Sequence, residues 1–164
     1  MSPEDHNEAG ATVDGGCACG KVRYRMTLPP LFVHCCHCRW CQRETGASYA
    51  LNALIEADRV SLLEGEPEKT LTPSNSGKGQ EIWCCPSCRV ALWSNYAGFG
   101  SKVSFIRVGT LDTPDRIEPD IHIFTSSKQP WVVIPEGHAA VEEYYSLKEY
   151  WPESSRARLK KLRK

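Results

Sequence analysis

The cysteines of this chain are the residues whose type and spacing point most directly to chemistry. They fall in three short groups, namely Cys17 and Cys19, then Cys35, Cys36, Cys38 and Cys41, and finally Cys84, Cys85 and Cys88. Zinc takes tetrahedral ligands with sulfur at about 2.3 Å, and a Cys-x-Cys or Cys-x-x-Cys turn supplies two such ligands from one bend of backbone. The spacing therefore predicts metal sites.

The first and third groups each contain one chelating pair. Cys17 and Cys19 are flanked by glycines, whose backbone can adopt the angles that aim both sulfurs inward. Cys85 and Cys88 form a Cys-Pro-Ser-Cys knuckle. Because two pairs provide four thiolates, these cysteines predict a closed structural zinc site.

The middle group then has no further cysteine pair to complete it. Its candidate ligands are Cys36, Cys38 and Cys41. Three protein ligands with an open fourth position are typical of a catalytic zinc, because water or substrate can enter there. Two alternatives remain open: His37 or His122 could fill the fourth position and make a second structural site, or all the cysteines could share one site.

Spacing alone also leaves a choice between adjacent cysteines. Cys35 could replace Cys36 in the middle set, and Cys84 could replace Cys85 in the knuckle. Successive strand residues point to opposite faces, so one cysteine of each neighbouring pair should face away from the metal. We expect the spare thiol to pack as a small hydrophobic side chain.

Short β-rich segments separated by turn residues predict the fold. The segments are 21–26, 48–55, 60–63, 80–84, 90–95, 103–110, 121–125 and 131–134. Their period-2 character and regular spacing predict a mainly β domain of short antiparallel sheets with little helix. Helix is expected for about one turn after Trp40 and over 140–150.

Charge divides the chain into three parts. Residues 1–14 are acidic and aperiodic and are expected to be a disordered tail, 15–150 form the zinc domain, and 151–164 form a basic, solvated tail. Lys+Arg and Asp+Glu number 20 each, so no net charge favours nucleic acid or an anionic membrane as partner. A homo-oligomer is compatible with this composition.

The cysteine count and hydropathy predict the compartment. No run reaches the roughly 20 apolar residues of a membrane span, and no secretory signal is visible at the N-terminus. An odd number of cysteines, 9, fits a disulfide framework poorly. We therefore expect a soluble, cytoplasmic protein with reduced cysteines and no membrane partner.

Six stretches in order resemble the glutathione-dependent formaldehyde-activating enzyme (Gfa) family, whose domain also occurs in centromere protein V. They are GGCACGKVRY (15–24), CHCRWCQRETGASY (36–49), EGEP (64–67), SGKG with CPSC (76–79 and 85–88), GTLD (109–112) and HIF with PW (122–131). The resemblance implies a β-tent fold tied by zinc. It also implies a carbon–sulfur lyase that acts on thiol–aldehyde adducts such as S-hydroxymethylglutathione.

The resemblance also implies particular ligands. It places Cys17, Cys19, Cys85 and Cys88 on a structural zinc and Cys36, Cys38 and Cys41 on a catalytic zinc, which is two zinc ions per chain. It favours Cys36 over Cys35 and makes Cys84 a packing residue. The family commonly has glycine directly after the knuckle, where this chain has Arg89. That arginine could reach an acidic substrate group.

The chemistry expected at the middle site is that of thiols. Three thiolates leave zinc with a negative formal charge, which suits a soft sulfur ligand better than water activation. A proton must move to or from the hydroxymethyl oxygen, and His37, His122 and Glu44 are candidates to carry it. Glutathione has two carboxylates and one ammonium, so cations are expected near the site. They could come from Arg39, Arg43 and Lys128.

Trp131 could line the site or fill the core, and the core is the favoured prediction.

Two functions other than an enzyme remain open. A zinc-stabilised module could bind protein or nucleic acid through the basic tail, and a metal or redox buffer could use the cysteines directly.

Overall fold

A computed structural model describes residues 9–163 as a mainly β protein with two sheets. The smaller sheet has three antiparallel strands in the order β1 (Thr12–Gly16), β2 (Arg23–Thr27) and β5 (Val60–Glu64). The prediction of a mainly β fold is confirmed. Strand β1 begins inside the stretch that was predicted to be a disordered tail, and residues 1–8 of that stretch lie outside the described residues.

The larger sheet has seven strands and carries the residues of interest. Its order is β10 (Ile121–Ile123), β3 (Phe32–Cys36), β4 (Ala50–Glu56), β9 (Val103–Arg107), β8 (Ala91–Tyr96), β7 (Gln80–Cys84) and β6 (Glu68–Thr72). Neighbouring strands run antiparallel except β10, which pairs with β3 in parallel. The sheet is therefore mixed at one edge rather than wholly antiparallel.

Three α-helices follow the strands in the chain or interrupt them. They are α1 (Arg39–Thr45), α2 (Leu147–Tyr150) and α3 (Glu153–Leu162). The helical turn expected after Trp40 is therefore present as α1. The predicted strand at 131–134 is wrong, since these residues form turns and irregular structure, and Trp131 is 69% exposed instead of buried in the core.

Two hydrophobic cores lie on opposite faces of the larger sheet. One is enclosed by the smaller sheet and includes Tyr24, Met26 and Ile106. The other contains Leu54 and the cysteines of the middle group, and C-terminal aromatic residues pack against it. The larger sheet thus has little solvent-facing surface in its centre, and strand β3 is buried along its whole length.

The C-terminal residues differ from the expected solvated tail, although the domain boundaries themselves stay a prediction. Helix α3 places Leu159 in the second core, and its Arg158 contacts Glu56 at the end of β4. Arg158 Nε donates to Glu56 Oε1 at 2.7 Å, and Arg158 Nη2 donates to the Pro29 carbonyl at 3.0 Å. The ion pair and the buried leucine fix a segment whose sequence shows almost no apolar stripe.

We expect Arg158→Met to destabilise the protein by roughly 2–3 kcal/mol, because it leaves the buried Glu56 carboxylate without its partner. Burial opposes ionisation of Glu56, yet the hydrogen bonds from Arg158 hold its pKa below the ordinary value of 4.5. A lowered pKa stabilises the folded state above 4.5, and this contribution disappears as pH falls through the folded-state pKa. Thermal unfolding at several pH values measures it.

The matched control is Lys160→Met, which removes an exposed cation from the same helix. Its unfolding temperature should stay near that of the wild type. Equal losses for the two variants at neutral pH would contradict a specific role for the ion pair.

None of the helices in the described part of the chain is long and apolar enough to cross a membrane.

Candidate metal centre and adjoining cavity

Four cysteines from two turns form the first cluster, called here the outer cluster. Its members are Cys17, Cys19, Cys85 and Cys88, whose sulfur atoms all lie within 4.8 Å of one another. Cys19 Sγ is 3.5 Å from Cys17 Sγ and 3.7 Å from Cys85 Sγ. Four sulfurs bound to one zinc ion would be roughly 3.8 Å apart, so the arrangement fits a tetrahedral metal site.

The two turns of the outer cluster belong to different sheets. One joins β1 to β2 and is closed by the Cys17 N–H, which donates to the Val22 carbonyl at 3.1 Å. The other joins β7 to β8, where the Arg89 N–H donates to the Cys85 carbonyl at 3.0 Å. A metal ion held here would link the smaller sheet to the larger one.

Arg89 occupies a backbone position that favours glycine. Its φ of 63° lies in the left-handed region, where a side chain other than glycine is strained. Its guanidinium donates to Glu68 at 2.9 Å, in an exposed ion pair. The structure therefore gives Arg89 a partner on β6 and not one in a binding site.

Three further cysteines form the middle cluster at the junction of β3 and α1. Its members are Cys36, Cys38 and Cys41, which are buried and whose sulfurs lie within 4.8 Å of one another. Cys38 caps α1, since its Sγ accepts from the Cys41 N–H at 3.4 Å. Hydrogen bonds from Cys36 and Cys41 lower the pKa of the Cys38 thiol, while the hydrogen bond with Cys38 raises the pKa of Cys36.

A cavity of about 380 Å³ borders the middle cluster. All three of its cysteines line the cavity, together with His34, Asn52 and Lys78. Half of the remaining lining residues are aromatic, namely Trp40, Tyr96, Phe99, Phe105, Phe124 and Tyr144. The others include four polar residues, namely Ser74, Asn75, Ser76 and Gln80. Among the described residues that line the cavity, Lys78 is the only lysine, and there is no arginine, aspartate or glutamate.

His34 is a cavity residue whose role the sequence did not reveal. The Trp151 Nε1–H donates to the Tyr145 hydroxyl at 2.8 Å, and this hydroxyl is therefore free to donate to His34 Nε2. Burial lowers the pKa of His34 to about 3, so the ring is neutral at physiological pH. A period-2 pattern could have indicated it, because His34 and Cys36 lie two residues apart on one strand.

Three other donors, called here the histidine cluster, lie on the opposite face of β3. They are Cys35, His37 and His122, all buried and within 4.8 Å of one another. Burial lowers the pKa of His37 to about 4, and the charges of His122 and Lys128 contribute. Neither histidine is among the residues that line the cavity, and their role as proton carriers stays a prediction.

Glu44 is held in a polar network that no local sequence pattern indicates. Arg107 Nη2 pairs with the Glu44 carboxylate, while its Nη1 donates to Asn52 Oδ1 at 2.9 Å. The arginine side chain is only 8% exposed. Because Asn52 also lines the cavity, Arg107 orients one cavity residue and keeps the Glu44 carboxylate outside the cavity.

The cations predicted near the site lie elsewhere. Arg39 Nη1 donates to Gln42 Oε1 at 3.1 Å, and Lys128 Nζ donates to the Val132 carbonyl at 2.6 Å. Neither these residues nor Arg43 and Trp131 are among the described residues that line the cavity. Cys84 is half-buried and lies outside the three clusters.

Comparison with known proteins gives a family model, a relative with a family name and a solved structure. A family model described as glutathione-dependent formaldehyde-activating enzyme matches residues 12–127. A Halomonas elongata protein that is provisionally named a glutathione-dependent formaldehyde-activating enzyme is 28% identical over 133 residues, which is 74% of this chain and 80% of that protein. A crystal structure of a Rhodobacter sphaeroides protein is 19% identical, with a TM-score of 0.48, and the match covers 65% of this chain and 91% of that chain.

The matched residues of the family model extend from β1 to the turn after β10, and they include all of the outer and middle clusters. This is most of the described chain. The protein therefore belongs to the glutathione-dependent formaldehyde-activating enzyme family.

Proposed function

We propose that the protein is a zinc-dependent carbon–sulfur lyase that forms or cleaves the S-hydroxymethyl adduct of a thiol and formaldehyde. The observation that carries this proposal is the position of the middle cluster in the wall of a cavity of about 380 Å³. The outer cluster offers four ligands and is closed, whereas the middle cluster offers three. A small ligand in the cavity could supply the fourth donor.

The donors of the middle cluster suit zinc. They are three sulfurs within 4.8 Å of one another, and soft thiolates are ligands that zinc accepts readily. When bound there, zinc would act as a Lewis acid that orients the substrate sulfur and favours its deprotonated form. A second zinc in the outer cluster would be structural. A reducing compartment such as the cytoplasm would keep both sets of thiols available as ligands.

The cleavage step is a simple elimination. The carbon–sulfur bond breaks with its electron pair on sulfur, the hydroxyl oxygen loses its proton to become the carbonyl of formaldehyde, and the sulfur ends protonated as the free thiol. His34 and Asn52 lie opposite each other on β3 and β4 and both line the cavity. We propose that these two side chains hydrogen bond the hydroxymethyl oxygen and hold it in position while its proton leaves.

The cavity wall favours a thiol with an apolar body. Glutathione, the thiol in the family's description, has two carboxylates and one ammonium. Lys78 could pair with one carboxylate, but no described Asp or Glu lines the cavity to receive the ammonium. Aromatic side chains such as Tyr96 and Phe105 would instead pack against an aromatic or alkyl group. We therefore propose a thiol that is less charged than glutathione.

The lyase proposal predicts faster exchange between free thiol and adduct. With carbon-13 formaldehyde and benzyl mercaptan, nuclear magnetic resonance exchange spectroscopy should show at least a roughly 100-fold rate increase from positioned proton transfer. Cys38→Ser should return exchange to the uncatalysed rate. Arg39→Ala removes an exposed side chain from α1, the helix that Cys38 caps, and should leave the catalysed exchange rate unchanged. Equal exchange rates for wild type and Cys38→Ser at equal protein concentration would contradict the proposal.

A further inference from the structure

The histidine cluster joins residues from two parallel strands. Cys35 and His122 are partners in the register of β3 and β10, and His37 follows β3 directly. All three side chains are almost completely buried. Alternation along β3 puts them on the face opposite His34 and Cys36, so they take no part in the cavity.

The three donor atoms converge on one point. His37 Nε2 is 3.0 Å from His122 Nδ1 and 3.6 Å from Cys35 Sγ. A sulfur and two imidazole nitrogens bound to one metal ion, at bond lengths of about 2.0–2.3 Å, would be roughly 3.3–3.8 Å apart. Opening the histidine pair by a few tenths of an ångström is the adjustment that a metal ion would require.

Hydrogen bonding explains this arrangement incompletely. One proton between His37 Nε2 and His122 Nδ1 satisfies that contact, but His37 Nε2 faces the Cys35 thiol as well. The outer nitrogens, His37 Nδ1 and His122 Nε2, are buried without a hydrogen-bond partner among the described residues. Hydrogen bonds to the outer nitrogens therefore do not set the ring orientations within the described part of the chain, and the two inner nitrogens and the Cys35 sulfur lie close enough to share one ligand.

We propose that Cys35, His37 and His122 form a third metal site, separate from the two zinc sites and suited to monovalent copper. A thiolate and two neutral imidazoles give a copper(I) ion a net charge of zero and a three-coordinate shell. Zinc in the same three ligands would leave a buried positive charge, which is costly in an apolar interior, and would lack its fourth ligand. Soft sulfur and imidazole ligands are those that copper prefers.

Binding at this site is a ligand exchange without oxidation or reduction. Copper(I) displaces the thiol proton of Cys35 to solvent. The proton between the two rings moves to the outer nitrogen of the ring that carried it, while the other ring already has its proton on the outer nitrogen, so both imidazoles stay neutral. The exposed His138 ring lies 5.8 Å from the His122 ring, centre to centre, and the half-exposed Tyr49 ring lies 5.4 Å from the His37 ring. These two side chains mark the path by which an ion could enter.

The test adds one equivalent of copper(I) anaerobically to the zinc-loaded full chain in the presence of a competing copper chelator. We expect one copper per chain, no released zinc, and a copper X-ray absorption spectrum with one sulfur and two nitrogen ligands. Cys35→Ala and His122→Gln should each weaken copper binding by more than the roughly 10–100-fold caused by loss of an outer-shell partner. Cys84→Ala, the other spare cysteine, should bind copper like the wild type.

The zinc content and thermal unfolding of each variant are measured to check that its fold is retained. His37 is left unchanged because it lies between two cysteines of the middle cluster. Copper surrounded by sulfur alone, with one zinc released per copper, would overturn the proposal. Unchanged copper binding by Cys35→Ala would overturn it as well. Neither result affects the lyase proposal, which depends on the middle cluster.

Discussion

Cys85→Ser is expected to unfold the protein or prevent its folding, whereas Cys36→Ser should remove one metal ion and leave the fold intact. The outer cluster connects turns of two different sheets, 66 residues apart in the chain. Structural zinc contributes an apparent free energy of about 10–16 kcal/mol, comparable to the whole stability of a domain at roughly 5–15 kcal/mol. The middle cluster, by contrast, spans one strand end and one helix turn.

Metal content by mass spectrometry and thermal unfolding measure both effects. The wild type should contain two zinc ions per chain and Cys36→Ser should contain one, with an unfolding temperature close to that of the wild type. Cys84→Ser is the control for loss of a cysteine outside the clusters, and it should retain both ions. If Cys36→Ser unfolds as readily as Cys85→Ser, the middle cluster is structural and the lyase proposal loses its main support.

Benzyl mercaptan is expected to bind the zinc-loaded protein at least about 100-fold more tightly than glutathione, a difference of roughly 2.7 kcal/mol. The aromatic side chains of the cavity would take up the benzyl ring, while at least one carboxylate and the ammonium of glutathione would be desolvated without a partner of opposite charge among the described lining residues. Isothermal titration calorimetry under anaerobic conditions measures the two affinities directly, independently of turnover.

Asn75→Arg provides a matched variant for this preference. Asn75 is exposed and lines the cavity, so an arginine there adds a cation without disturbing the core. It should tighten glutathione binding several-fold and leave benzyl mercaptan unaffected, whereas Lys78→Ala should weaken glutathione further. Tighter binding of glutathione than of benzyl mercaptan by the wild type would contradict the apolar thiol and leave the lyase proposal standing. Absence of binding by either thiol would count against both.

The local parts of the fold could be predicted because their signals are local. The sequence predicts strand β7 at 80–84, as the structure has it, since QEIWC combines β-rich residues with flanking turn residues. Strand β3 has no such signal, because it is buried on both faces and its sequence, FVHCC, does not alternate. Strand β6 lacks a signal for the opposite reason, since EKTLT is polar and mostly exposed.

The grouping of the cysteines into two sets could be predicted from spacing and resemblance, but the cavity could not. Its aromatic wall combines Trp40 from α1, Tyr96 from β8, Phe105 from β9 and Phe124 after β10. These residues are brought together by the strand order, which no local pattern specifies. The hydrogen bonds of Arg107 could not be predicted for the same reason, because Glu44 and Asn52 come close to it only when β4 and β9 pair.

Alternation along strand β3 separates its histidine and cysteine side chains onto the two faces of the sheet. His34 and Cys36 face the cavity while Cys35 and His37 face the other way, so the four consecutive residues 34–37 serve two separate environments. A shift of register by one residue would exchange the two pairs, so that Cys35 and His37 would face the cavity in place of His34 and Cys36. An insertion or deletion in this strand would therefore alter both sites at once, whereas a substitution can alter either one alone.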